Sequence, residues 1–427
     1  MLSKNRPLFF LERTLVGNGT QPFNGVFAFR IDGMVEQDTW IEALDRLQQK
    51  FPQLQMAIGD LHTSKPYFFI PAVVHPIVVH FKVRDRADAW QDEALKGLGH
   101  VFDVRQGTLI RLVCLVDDEK TDVILTFHHA ICDGGGGVLL VRYLLQLLDD
   151  PDADIGACDT LLNLSDIIPQ KVLNNKKIRL KTTFVAATLK TALSLFSWFG
   201  FHRKGPTYTR ERDYLLHSKL TQSTTIAWIR MCREASVTVN TAIGLLLLEA
   251  FRTVRDKEAK NKVTCPVDIR KFAPEIAADR LFSFGLMLTL TEPNKDDPFW
   301  KKAVALQKKV DKQINSLQPY EFLMTFEKLH NRLPQMLQLL TYGKVNNDLM
   351  FSNMGNLPLT NTYQHFQLET IFSPMVIGPF ANPSTVICST FNKQLDIAFV
   401  SNHDFLPKED ARQILKYVVD SMRKMTS

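Results

Sequence analysis

Hydrophobic residues along the chain fall into runs whose spacing switches between alternate and helical. Residues 24–32, NGVFAFRID, alternate as a strand does, and after Gly33 the stretch VEQDTWIEALDRLQQKF brings Trp40, Ala43, Leu44 and Leu47 onto one helical face. A β-rich stretch, PAVVHPIVVHFKV, and a helical one, ADAWQDEALKGLG, follow. Two strand-like runs, LIRLVCLV and VILTFHH, are then separated only by Asp117, Asp118, Glu119 and Lys120, which is the pattern of a hairpin. Beyond them Gly134 to Gly137 leads into VLLVRYLLQLL, whose apolar spacing is helical. A strand is therefore expected to pass through a tight glycine turn into a buried helix.

From Asp149 the texture changes. An acidic patch (Asp149, Asp150, Asp152, Asp154) gives way to a basic one (Lys171, Lys176, Lys177, Arg179, Lys181) without strand alternation, and this marks a connector over 151–205. It joins an N-terminal subdomain, 1–150, to a C-terminal one, 206–427. The second part repeats the mixture: TTIAWIRMCREA and TVNTAIGLLLLEAFRTV are helical, KVTCPVDIR is strand-like, and several further strand-like runs precede the helix EDARQILKYVVDSMRKM. Both halves thus read as α/β (α+β), each a mixed sheet with helices.

Length and composition agree with that division, because 427 residues exceed what one core usually serves. With 45% hydrophobic and 22% charged residues the chain falls among folded globular proteins rather than disordered or collagenous ones. A net charge of +6 from 51 basic and 45 acidic residues is too balanced for a nucleic-acid binder. The six cysteines form no C-x-x-C pair, so neither a metal site nor a disulfide framework is expected, and reduced thiols point to a cytoplasmic setting. Leu8 to Leu11 is too short for a signal-peptide core, and stretches such as Ala242 to Leu248 fall short of the roughly 20 residues of a spanning helix.

The segment Phe127-His128-His129-Ala130-Ile131-Cys132-Asp133-Gly134 carries the chemistry. Strand alternation sets His129 on the face of Val123, Leu125 and Phe127 and turns His128 away. A histidine at a strand end, before a glycine turn, is held on one side and open on the other. That suits a general base, since its ordinary pKa of about 6.5 lies near working pH. Asp133 is placed to hydrogen-bond backbone amides or to pair with a distant arginine. The glycines do not make a dinucleotide fingerprint, because G-x-G-x-x-G counted from Gly134 or Gly135 ends on Leu139 or Leu140. G-x-S-x-G is absent and Cys132 reads as filler, which argues against covalent catalysis.

HHAICDG resembles the H-H-x-x-x-D-G signature of the chloramphenicol acetyltransferase-like superfamily, which includes condensation domains, alcohol acetyltransferases and polyketide-associated acyltransferases. Other elements follow in the expected order. Gly33 with Trp40, Ala43, Leu44 and Phe51-Pro52-Gln53-Leu54 is similar to the family's opening, and Phe102-Asp103 through Gly107-Thr108-Leu109-Ile110-Arg111 to the stretch before the motif strand. Val239-Asn240-Thr241 heads a helix, Pro266-Val267-Asp268-Ile269-Arg270 resembles the strand with a structural arginine, and Phe351-Ser352-Asn353-Met354-Gly355 resembles an S-N-x-G element. Gln55 replaces an arginine often found after the first helix, and the plant branch's D-F-G-W-G is missing. The nearest branches are thus the alcohol acetyltransferases and the polyketide-associated enzymes.

The resemblance implies two subdomains with an active-site tunnel between them. It implies an acyltransferase that moves an acyl group from acyl-CoA or a phosphopantetheinyl carrier-protein thioester to a hydroxyl or amine, with O-acyl transfer favoured. It implies no need for a bound cofactor or metal, and transfer without a covalent acyl-enzyme. His129 would be the base. Asp133, Gly134 and Arg270 would hold the catalytic loop, Asp133 and Arg270 as an ion pair across the halves, with His128 and Asn353 as supporting residues. The competing reading is a catalytically silent condensation-like binding or scaffold protein, against which an intact His129, Asp133 and glycine run argues. His128 and Asp133 also fit H-x-x-x-x-D of glycerolipid acyltransferases, which would leave the second-half elements unexplained. Finally, 181–204 sets Phe184, Leu189, Leu193, Phe196 and Trp198 among Lys181, Lys190, Arg203 and Lys204, a pattern that fits peripheral membrane contact or a helix packed across the halves.

Overall fold

The computed structural model describes residues 5–63, 65–158, 163–198, 209–273, 279–340, 346–379 and 382–427. In the first half, strands Asn24–Asp32 and Lys120–His128 pair antiparallel in full register from Asn24 opposite His128 to Asp32 opposite Lys120. Ile110–Val116 follows antiparallel, as the hairpin pattern requires, and Val78–Val83 lies parallel at the edge. Alternation divides the side chains between two cores. Phe27, Phe29 and Ile31 face helices Gln37–Lys50 and Gly134–Asp149, packing with Trp40, Leu44, Leu47, Leu140 and Leu144. Val26 and Ala28 point the other way, toward Ala94 and Leu98 of helix Ala89–Gly99 and toward Leu215, Ala398 and Val400 of the second half.

The second half is a six-stranded mixed sheet in the order Gly285–Thr291, Lys262–Asp268, Leu349–Asn356, Thr385–Phe391, Gln394–Asn402, Asp213–Lys219. Leu349–Asn356 runs parallel to both neighbours, and the other pairings are antiparallel. Helix Val239–Arg255 is buried on nearly all sides, with Ala242, Ile243, Leu245, Leu246 and Phe251 in the second core, which explains why its sequence lacks a polar stripe. Thr238 caps it by accepting from the Thr241 N–H. A small sheet of Arg6–Pro7, Tyr67–Phe69 and Ala57–Gly59 completes the β-structure. No single helix among the described residues is long and apolar enough to cross a membrane.

The connector contains a 23-residue helix, Lys176–Trp198, which one of the two readings of its sequence allowed. Two features depart from the sequence expectation. Strand Gln367–Ile377 belongs by position to the second half, yet it pairs antiparallel with Asn24–Asp32 and forms the outer member of the first sheet. The division at residue 206 is therefore not a clean spatial boundary. Finally, Gly134 to Gly137 form no separate turn but are the first turn of the helix itself.

Close packing explains how a helix can begin on four glycines, each of which costs up to about 1 kcal/mol relative to alanine. A Cβ at Gly136 would lie 2.6 Å from Cys132 Cβ, and one at Gly137 would overlap the ring of Phe27. Phe27 is buried and packs on Phe127, so its ring has nowhere to go. Gly137→Ala is accordingly expected to destabilise by up to about 2 kcal/mol, because overpacking at roughly 1–3 kcal/mol offsets and exceeds the propensity gain of about 1 kcal/mol. Urea denaturation checks this, and a variant more stable than the parent would show that the contact relaxes freely.

Candidate functional site

The motif strand ends at His128, one residue short of the candidate base. His128 is buried, its ring lies 6.5 Å from that of Phe102, and its Nδ1 accepts the Ala130 N–H at 3.1 Å. Burial, with a smaller contribution from neighbouring His129, pushes its pKa down to about 3, so it is neutral and its acceptor nitrogen is occupied with holding the turn.

His129 lies in that turn. Its backbone N–H donates to Phe23 O at 2.7 Å, its ring sits 5.3 Å from the Phe23 ring, and it keeps partial exposure. Strand alternation therefore does not place this side chain, since the ladder has ended; the turn does. Its Nδ1 lies 3.2 Å from Ser283 Oγ, a buried hydroxyl from the second half. Burial lowers the imidazole pKa from its ordinary value, while a hydrogen bond to its own backbone carbonyl and the nearby Asp133 carboxylate oppose that shift. In the tautomer that donates from Nδ1 to Ser283 Oγ, Nε2 is left as an acceptor.

Asp133 is the N-cap of the glycine helix, its Oδ1 accepting from the Gly136 N–H at 2.9 Å. Its Oδ2 takes Arg270 Nη1 at 2.7 Å, and its backbone N–H donates to Phe282 O at 3.1 Å. Arg270 follows strand Lys262–Asp268 and also reaches Asp268 Oδ1 at 3.3 Å and Arg280 O at 3.3 Å. Burial works against the guanidinium charge, but Asp133 and Asp268 more than restore it and raise its pKa. The two halves are thus clasped beside His129 by one ion pair and one backbone hydrogen bond. Gly134 lets Met354 of strand Leu349–Asn356 approach, since a Cβ there would stand 3.0 Å from its Cε and Sδ. Asn353 acts locally: its Oδ1 accepts from the N–H of Gly355, which has φ +70°, where the strand's register breaks.

Ser283 carried no signal in the sequence, because it stands between two phenylalanines in an apolar run and reaches the motif only through the tertiary fold. Cys132 is fully buried, and burial raises its thiol pKa well above the ordinary value. The site therefore offers a neutral imidazole at a seam between two sheets, with an exposed edge and no activated thiol. Such an arrangement can take a proton from a group brought to Nε2 and give it back.

No family model matches the chain. Malpibaldin synthetase from Mortierella alpina is 28% identical over 123 residues, which is 28% of this chain and 2% of that protein's length. Among solved structures, trichothecene 15-O-acetyltransferase from Fusarium sporotrichioides superposes with a TM-score of 0.71 at 13% identity, covering 98% of this chain and 94% of its own. Polyketide synthase associated protein 5 from Mycobacterium tuberculosis gives 0.67 at 14% identity over 98% of both chains. The cyclization-docking bidomain of a nonribosomal peptide synthetase from Sorangium cellulosum gives 0.66 at 14%, over 99% of this chain and 85% of that one. The chain shares the fold of these three structures over almost its whole length.

Proposed function

We propose that a chain with this fold and this histidine is an acyltransferase that moves an acyl group from a thioester to a hydroxyl or amine, with His129 as general base. The observation that carries the proposal is the placement of the His129 ring: its Nδ1 lies 3.2 Å from Ser283 Oγ, and the tautomer that donates there has Nε2 as its proton acceptor. In the reaction, Nε2 takes the acceptor's proton as its oxygen or nitrogen attacks the thioester carbonyl. The tetrahedral adduct collapses with loss of thiolate, which recovers the proton, leaving ester or amide and free thiol. The buried, poorly acidic Cys132 supports transfer without an acyl-enzyme. Asp133, Gly134 and Arg270 keep the loop in place, His128 supports the turn, and Asn353 or backbone amides near Gly134 supply oxyanion donors.

The O-acetyltransferase among the structural neighbours supports a hydroxyl acceptor, and the polyketide-associated neighbour supports a carrier-protein thioester beside acyl-CoA as donor. A tunnel along the seam would admit the long phosphopantetheine arm from one side and the acceptor from the other. The cysteines, all buried and with no disulfide among the described residues, support a reducing compartment such as the cytoplasm.

The test is release of free thiol from acyl-CoA and acyl-carrier-protein donors against a panel of alcohols and amines, with products identified by mass spectrometry. Acceptor-dependent thiol release matched by ester or amide supports the reading. Thiol release without regard to acceptor, or none with any donor, overturns it. The base must be neutral to act, and burial sets its pKa below 6.5, so kcat/KM is expected to stay level from pH 8 to about 6.5 and to fall only in more acid solution.

A further inference from the structure

The connector helix Lys176–Trp198 has two unlike faces. Its inner face packs normally: Ala186 and Leu193 are buried, and Leu189 joins Ala186 against Phe10, Leu329 and Leu333. The outer face does not follow the rule that an exposed helix surface is polar. Leu180 is 72% exposed and Phe184 is 74% exposed, and Leu195 continues the same row at helical spacing. From Leu180 to Leu195 the row runs about 22 Å along the helix axis.

Charge surrounds this row with one sign. Residues 167–198 contain six basic side chains, Lys171, Lys176, Lys177, Arg179, Lys181 and Lys190, and no acidic one. They equal the whole net charge of +6, so the rest of the chain balances at 45 basic and 45 acidic residues. Lys181 pairs with Glu321 at 2.7 Å, but Lys176, Lys177 and Arg179 have no ion pair among the described residues. Lys328 lies at the edge where the inner face meets the outer one, donating to buried Thr182 and exposed Thr183 at 2.9 Å each, and its ammonium is held below its ordinary pKa by burial and by the nearby charges of Arg179 and Lys190. A groove of about 280 Å³ beside it is lined by Lys65, Lys190 and Lys328, with Glu327 as its one acidic side chain among the described residues.

We propose that this outer face docks on the surface of an anionic lipid bilayer, Leu180, Phe184 and Leu195 entering the headgroup region while Lys176, Lys177, Arg179 and Lys190 meet lipid phosphates. A straight apolar row parallel to one helix axis, flanked by unpaired cations, is the form that lies in the plane of an interface. An acidic protein partner would use the cations but leave Phe184 and Leu180 against its solvated surface. Of the residues first suspected of membrane contact, Leu189 and Leu193 turn inward, while the Trp198 side chain, Arg203 and Lys204 lie outside the described residues.

The placement bears on the substrates. Helix Pro319–Phe326 packs against the connector helix on one side, and its Leu323 and Met324 meet Phe282 and Phe284, which flank Ser283, on the other. Given the acyl transfer proposed above, a bilayer so close to the seam favours acyl chains or acceptors dissolved in it.

Binding is read without turnover, so its failure and the failure of the transfer reading are separable. Sedimentation with vesicles of phosphatidylcholine alone, and with 30% phosphatidylserine added, is the measurement. Binding to the anionic vesicles, at least tenfold weaker to the neutral ones and weakened by salt, is expected, since each basic residue near such a surface contributes about fivefold. The exposed pair Leu180→Ser/Phe184→Ser should lose at least tenfold, while Met34→Ser, at an equally exposed apolar position elsewhere, should lose nothing. As a second readout, Thr188→Cys on the exposed face accepts a fluorophore while the native cysteines are buried, and its emission should shift to the blue on anionic vesicles. No sedimentation with either vesicle, binding unchanged in the double variant, or an unshifted label overturns the proposal. So does a dimer of the parent that the double variant dissociates without any vesicle binding, which would assign the face to a second copy.

Discussion

Replacing His129 with alanine is expected to lower acyl transfer by about 10²–10⁴-fold, the usual contribution of a positioned general base. The fold should survive, because the side chain is partly exposed and its place is set by backbone bonds that alanine keeps, above all the N–H to Phe23 O. His128→Asn makes the informative comparison. Asparagine retains an acceptor for the Ala130 N–H but gives up the ring packed near Phe102, so melting temperature should fall more than turnover. Steady-state thiol release and circular dichroism on the two variants check both. Equal, small effects on turnover would mean that neither ring moves the proton.

The second large effect is expected at the clasp. Removing one member of a fully buried ion pair leaves an unmatched charge and costs roughly 3–5 kcal/mol, and for this partly buried pair the expected cost lies below that. Asp133 also caps a helix, worth about 1 kcal/mol, so alanine there would mix two losses. Asp133→Asn separates them, because its amide oxygen can still accept the Gly136 N–H while the charge facing Arg270 disappears. Arg270→Met removes the other partner at similar length. Each single variant should lose stability and activity together, and the double variant should lose clearly less than the sum, a coupling read by urea denaturation in a double-mutant cycle. Strict additivity would show that the 2.7 Å contact contributes nothing to the native state.

Much of the first half was legible because its information is local. The alternation of NGVFAFRID, the hairpin signal at Asp117 to Lys120 and the helical face of Trp40, Leu44 and Leu47 all lie within one element or its neighbour. The second half's helices Gln222–Glu234, Val239–Arg255 and Lys408–Thr426 were visible for the same reason. What escaped was set by distance along the chain. The helix begins at Gly134 because Asp133 caps it, and Gly137 is small because Phe27 demands room, and neither fact is carried by the glycines. Ser283 faces His129 through the packing of two sheets, and no periodicity encodes that. The site followed the same division: His128, His129 and Asp133 stand in one short motif, whereas the partner of Asp133 came from resemblance, and Ser283 from the structure.

Strand Gln367–Ile377 has a consequence for how the protein comes into being. It sets Thr370 opposite Arg30, so the first sheet closes only once synthesis has passed Thr370. During synthesis Asn24–Asp32 must wait with one row of backbone donors and acceptors unpaired, which is a template for any other extended segment. Contacts so remote in sequence form slowly. The nascent first half is therefore a species that chaperones would need to shield, and the two halves mature together rather than in turn.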